Sequence, residues 1–173
     1  MLSIQQLNEA NQQTFVTILG DIFEHSSWIA EEAVQYRPFH SLTDLHQTMK
    51  MIVEKSTPEA KLTLIKAHPN LGDTVQMSDD SVSEQSNAGL KNLSPQEFQQ
   101  FINLNKQYMT KYQFPFVTAV RGKNKDTIHQ EMASRIHNDP DTEYNTALNK
   151  IYKNALFRLE EKIKKKRGCS DEK

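Results

Sequence analysis

Residues 94–122 read SPQEFQQFINLNKQYMTKYQFPFVTAVRG, and two features of this stretch decide the fold class. Ser94, Pro95 and Glu97 begin the clearest helix of the chain. Phe98, Phe101, Ile102 and Tyr108 fall at helical spacing and are expected to face inward, with the helix ending near Tyr112. Beyond it, Phe114-Pro115-Phe116 and the run Val117 to Val120 form the only strand-like segment of the chain. One extended segment has no partner strand. It reads as a buried connector between helices, whose backbone groups must find partners in side chains, water or a ligand. The fold expected is therefore all-α, a single compact domain over 1–173 of about eight helices with a short extended connector near 114–120.

The same capping logic recurs toward the N-terminus. Ser3 with Gln6 forms a capping box, and Phe15, Ile18, Leu19 and Ile22 mark a second helix within 11–23. Ser26 or Ser27 can cap a third, carrying Trp28, Ile29 and Ala33 before Arg37-Pro38-Phe39 forces a turn. Ser41 with Asp44 precedes the stripe Leu45, Met49, Ile52 and Val53. Thr57-Pro58-Glu59 opens the next helix, with Leu62, Leu64 and Ile65, and Pro69 stops it, since the residue before a proline is pushed out of the helical region. That residue is His68. In the acidic stretch that follows, Asp79, Asp80 and Ser81 offer caps, Ser81 with Glu84 is a formal capping box, and Gly89 offers a stop. After the connector, Asn124 to His137 reads as helix. Asp139-Pro140 then opens a last helix with Leu148, Ile151, Tyr152, Ala155 and Leu159. The polar end, KIKKKRGCSDEK (162–173), reads as a frayed tail from about 164. Neither a repeat nor a linker divides the chain.

Totals narrow the function classes. The 173 residues carry 21 basic and 22 acidic side chains, a formal net charge of -1, which argues against a nucleic-acid binder that must neutralise many phosphates. The one cysteine, Cys169, lies in the polar tail, so no disulfide framework is expected and a reducing, cytoplasmic setting is the natural one. No apolar run approaches the roughly 20 residues of a membrane span, and Met1 to Gly20 lacks the pattern of a signal peptide. None of the six histidines sits in a metal-ligand pattern, so no metal site is expected. His40 and Asp44 are expected to make a surface contact. The basic run Lys162 to Arg167 reads as a solvated helix end, and neither a phosphate-binding glycine loop nor a GxSxG elbow is present.

Three polar residues remain. His68, at a helix end and followed by Leu71-Gly72, can face a pocket, or can simply complement the helix dipole. Glu84 can be a site carboxylate or a cap, and Arg121, beside Gly122, can be a site guanidinium or an ion-pair partner. Spacing alone does not bring them together.

The joint pattern does. His68-Pro69-Asn70-Leu71-Gly72, then Ser81-Val82-Ser83-Glu84-Gln85 with Ala88-Gly89-Leu90, then Phe114-Pro115-Phe116 and Arg121-Gly122 resemble, in order and spacing, the 2-oxo-4-hydroxy-4-carboxy-5-ureidoimidazoline (OHCU) decarboxylases of urate breakdown. Phe23-Glu24-His25-Ser26 with Trp28, Arg37-Pro38-Phe39, Leu104-Asn105 with Tyr108, and Thr146-Ala147-Leu148 through Arg158-Leu159 extend the likeness over nearly the whole chain. Gln113 departs from it, since a glycine is expected before Phe114-Pro115-Phe116.

The resemblance implies an all-helical fold, no cofactor, and conversion of OHCU to (S)-allantoin with loss of carbon dioxide. It implies His68, Glu84 and Arg121 as the catalytic set. It also implies substrate contacts from Pro69, Ser81, Glu84, Gln85, Phe116, Val117, Thr118, Ala119, Val120 and Arg121. These residues are expected to line one concavity with the connector as a wall. Homodimers, and fusions to urate oxidase or hydroxyisourate hydrolase, occur in the family. OHCU carries its own electron sink, a C=N bond beside the carbon bearing hydroxyl and carboxylate, so no pyridoxal or thiamine is needed. Histidine, with an unperturbed pKa of about 6.5, suits delivery of the proton that completes the product. The rival readings are a non-catalytic helical interaction module and an enzyme acting on a related ureido compound.

Overall fold

The computed structural model describes residues 1–71, 85–86, 88–90 and 92–164. Ser81, Glu84 and the caps expected at 79–81 lie outside the described residues. The helices among the described residues are α1 (Ile4–Glu9), α2 (Gln12–Leu19), α3 (Trp28–Ala33), α4 (Leu42–Lys55), α5 (Pro58–Lys66), α6 (Pro95–Tyr112), α7 (Lys125–Arg135) and α8 (Pro140–Lys162). A 3₁₀ turn, Val34–Tyr36, continues α3. No strand occurs among the described residues, so the all-α class holds. A single isolated bridge joins Leu2 to Ile163.

Apart from α3, where Ser27 sits at the N-cap but makes no side-chain cap bond, the starts of the helices follow the local chemistry. Ser3 and Ser94 each form a complete capping box with Gln6 and Glu97, and Asn11, Ser41, Thr57, Asn124 and Asp139 each accept the orphan N–H three residues on. His40, left outside α4, donates its backbone N–H to Asp44 Oδ2 at 2.9 Å. The 23-residue α8 packs against α4, α5 and α6. Its buried stripe of Ala147, Leu148, Ile151, Tyr152, Ala155 and Leu159 merges with Leu45, Met49, Val53, Leu64, Ile65, Tyr108 and Phe116 in one continuous core.

Two local expectations need correction. Phe98 and Ile102 are each 39 % exposed, whereas Phe101, Asn105, Tyr108 and Tyr112 form the buried ridge of α6. The apolar positions of this helix span two neighbouring ridges, and the spacing rule does not say which one meets the core. Helix α2 stops at Leu19, and Ile22 and Phe23 are buried from the turn that follows. Ahead of the tail expected from about 164, Ile163 is fully buried and Lys164 N–H donates to Leu2 O at 2.8 Å; 165–173 lie outside the described residues.

The connector behaves as expected. Every residue from 114 to 120 is buried. Gln113, where the family resemblance leads one to expect glycine, is the C-cap of α6 in the left-handed region at φ 63° and ψ 21°. Such a cap normally calls for glycine because a Cβ there crowds the backbone. The turn is nevertheless made, with Gln113 Nε2 donating to Thr110 O at 2.9 Å.

Candidate active site

Helix α5 carries His68 to its place. The chain leaves the helix at the C-cap Ala67, and the backbone N–H of His68 still donates to Ile65 O at 3.2 Å. The imidazole turns back on the same helix end, with Nδ1 2.9 Å from Leu64 O. A carbonyl can only accept, so Nδ1 holds the proton and the neutral ring keeps its lone pair on Nε2. His68 as a whole is half-buried. Burial lowers its pKa from 6.5 to about 4, against the opposing pull of the Glu24 carboxylate and the Leu64 hydrogen bond, and the Arg158 charge adds to the lowering. At neutral pH the free protein therefore holds His68 uncharged. This revises the simple expectation of a histidine donating at its ordinary pKa.

The segment after His68 is pinned from α6, where Asn105 Nδ2 donates to Leu71 O at 2.9 Å. The opposite wall is the connector. Arg135 Nη1 donates to Val117 O at 2.8 Å and Asn154 Nδ2 to Thr118 O at 3.2 Å. The Thr118 hydroxyl donates to Glu131 at 2.7 Å. Arg135 also lies over the Phe116 ring at 4.3 Å and pairs with the fully buried Glu143 at 2.7 Å, to which Tyr108 Oη donates at 2.7 Å. Burial would raise the Glu131 carboxyl, but Lys123, Thr118 and Lys150 together hold it down at about 2. The carbonyls of Val117, Thr118 and Val120 thus all have partners, whereas the N–H groups of Thr118, Ala119 and Val120 meet no acceptor among the described residues. Buried N–H groups left this way are ready donors to a ligand oxygen.

Between the walls lies a cavity of about 30 Å³, lined by His68, Pro69, Leu71, Gln85, Phe116, Val117, Thr118, Val120, Asn154 and Arg158. Seven residues of the expected set are thus brought together. Ala119 is buried beside them but is not part of the lining. Gln85 closes a short turn in which Gly89, at φ 81°, makes the stop expected of it, with Leu90 N–H donating to Gln85 O at 3.0 Å. Arg121 is exposed and its guanidinium stacks over Phe157 at 4.8 Å. It lines a neighbouring concavity of about 160 Å³ that shares Val120 and Asn154 with the first.

Three cavity residues, Leu71, Asn154 and Arg158, were not singled out from the sequence as site residues. Arg158 and Asn154 are 3 % and 8 % exposed on the inward face of α8, four residues apart. A cation and a carboxamide in phase with Ile151, Ala155 and Leu159 were the available signal, since a charged side chain on an apolar stripe demands a buried partner. For Arg158 that partner is Glu24, which is fully buried, at 3.2 Å.

Residues 8–160 match the OHCU decarboxylase family. The 2-oxo-4-hydroxy-4-carboxy-5-ureidoimidazoline decarboxylase of Haloferax volcanii is 40% identical over 162 residues, covering 94% of this chain and 96% of that one. The uric acid degradation bifunctional protein PucL of Bacillus subtilis is 48% identical over 166 residues, 96% of this chain but 34% of the relative. The chain thus spans about a third of the length of that bifunctional relative. A crystal structure of (S)-allantoin synthase superposes with a TM-score of 0.77 at 30% identity, over 94% of this chain and 54% of that one.

Proposed function

The chain belongs to the OHCU decarboxylase family, and from that premise we propose that it converts OHCU to (S)-allantoin and carbon dioxide without a cofactor. One observation carries the reading at the level of chemistry: a neutral His68 whose Nδ1–H is tied to Leu64, set across a narrow cavity from a connector whose N–H groups meet no acceptor among the described residues.

In this reading the C–C bond to the carboxylate breaks and its electron pair moves into the ring toward the neighbouring C=N nitrogen, which takes a proton from water. The hydroxyl proton passes to Nε2 of His68 as the enol becomes a carbonyl. The imidazolium then gives that proton to the adjoining ring carbon from one face. Per carbon dioxide released, one proton is taken from solvent. The resting state of His68 suits this order, because a ring with a pKa of about 4 accepts before it donates. The N–H groups of Thr118 to Val120 stabilise oxygen as negative charge grows on it. Glu84 orients the imidazole, and Pro69, Ser81, Gln85 and Phe116 to Val120 shape the substrate site.

A tight ion pair to the departing carboxylate would stabilise the ground state and oppose the reaction. Arg121 is therefore assigned to a carbonyl oxygen of the ring or ureido group, reached from the neighbouring concavity. Arg158 is already paired with Glu24, which spares the carboxylate a bare cation. A small molecule is the partner this requires. Homodimerisation, work in the cytoplasm, and association with urate oxidase or hydroxyisourate hydrolase are parts of the same proposal, the last supported by the bifunctional relative. Mixing the purified protein with freshly generated OHCU and following both its disappearance and the circular dichroism of the allantoin formed tests the reading. Decay no faster than in a protein-free control would end it.

A further inference from the structure

Glu24 lies outside the cavity, on the turn after α2, and its carboxylate is fully buried, as is that of Glu143 behind the connector. Its side chain is 0% exposed, and Oε2 stands 3.2 Å from Arg158 Nη2. The same turn holds the guanidinium a second time, with Arg158 Nη1 donating to the carbonyls of Asp21 and Ile22 at 3.4 Å each. The turn is itself braced by the Ser26 hydroxyl, which donates to Glu24 O at 2.8 Å. Arg158 reaches from this anchorage into the lining of the His68 cavity. A carboxylate removed from water at this cost is retained only where its charge is used.

We infer that Glu24 is a positioning residue of the decarboxylation site: its buried carboxylate holds Arg158 at the cavity and supplies the negative charge that a protonated His68 requires. The two jobs follow from one charge. Toward Arg158, Glu24 cancels most of the cation seen from the cavity, so that the substrate carboxylate is not gripped in the ground state. Toward His68, it opposes burial and the Arg158 charge, both of which disfavour the imidazolium that must exist for part of each turnover. The charged and titratable groups facing His68 from the packed elements are, among the described residues, Glu24 from the turn after α2 and Arg158 from α8. From α5 the ring faces the Leu64 and Ile65 carbonyls. His25, exposed and 3.6 Å from Glu24 Oε1, is a further titratable neighbour of the carboxylate among the described residues.

The inference rests on the decarboxylase reading, and its test has one arm that needs no turnover. The ring nitrogens of His68 are followed by NMR from pH 7 downward in the intact protein, in Glu24→Gln and in Glu24→Asp. His68 of the unaltered protein begins to titrate on approach to about pH 4. In Glu24→Gln it stays neutral at that pH, and in Glu24→Asp, whose carboxylate is withdrawn by one methylene, the midpoint falls by a smaller amount. Kinetics form the second arm. Glu24→Gln is expected to lower kcat about tenfold and to lower KM with it, the pattern of a lost transition-state contribution and a tightened ground state. A role confined to folding would reduce the amount of active protein and leave KM and the His68 titration where they were, and that result overturns the inference. Should Glu24→Gln fail to fold, Glu24→Asp decides by the same two readouts. Absence of OHCU turnover in the unaltered protein counts against the decarboxylase reading, while the NMR arm still shows whether Glu24 governs His68.

Discussion

The two walls of the His68 cavity are held by opposite means. His68 hangs from its own helix, through bonds to carbonyls three and four residues back. The connector has no secondary structure of its own, and its carbonyls are met by Arg135 and Asn154, 18 and 36 residues away in sequence. One wall is a continuation of local structure and the other is suspended from distant side chains. Damage to the first should therefore be chemical, and damage to the second should be structural.

The largest expected effect is on the His68 side. His68→Asn keeps an N–H that can reach the Leu64 carbonyl but removes the proton carrier, so turnover should fall by about 10² to 10⁴ with melting temperature little changed. Water then protonates the intermediate from both faces, and the allantoin formed should lose its circular dichroism. Optically pure product at the unaltered rate would show that His68 is not the donor.

Arg135→Ala attacks the other wall. It strips the Val117 carbonyl of its donor and leaves Glu143 buried without its cation, a loss of about 3 to 5 kcal/mol by urea unfolding. A loss under about 1 kcal/mol would mean that apolar packing alone holds the connector.

The third test separates the walls by pH. The folded state keeps His68 neutral down to about pH 4, whereas the unfolded chain protonates it near 6.5. Its contribution to stability is thus complete above pH 6.5 and is lost progressively as the pH falls toward 4, on the order of 2 kcal/mol once the half-burial of His68 is allowed for. The stabilities of the intact protein and His68→Asn, nearly equal at neutral pH, should therefore separate between those values, the intact protein losing more. Parallel curves would remove the burial effect.

Smaller changes are expected at the margins of the connector. Arg121→Lys keeps the charge but loses the planar fork stacked on Phe157, and should cost about tenfold in kcat/KM with the fold intact. Unaltered kinetics would make Arg121 a surface ion. Gln113→Gly relieves a side chain in the left-handed region and should stabilise the protein by up to about 1 kcal/mol. A loss would show that the Gln113 bond to Thr110 outweighs the strain.

Most helix starts, the absence of a sheet among the described residues and the position of His68 were legible from residues 3 to 140 because each depends on neighbours within one helical turn. Ser94 and Glu97 cap α6 whatever surrounds them, and Pro69 ends α5 at His68 by steric exclusion. Phe114 to Val120 could be read as a connector by the lack of any strand to pair with. The identity of its partners could not, since nothing near Val117 names Arg135.

Which ridge of α6 turns inward was decided by what packs against it, and Phe98 and Ile102 went to the surface. The joining of Glu24 to Arg158 across 134 residues and the separation of Arg121 into an adjoining concavity are likewise tertiary facts. Local sequence determines where hydrogen-bonding groups of the backbone are left over and caps them in place. Only the assembled core decides which distant charge is buried beside which, because an unpaired charge is excluded from the interior and its partner is chosen by the packing of whole helices.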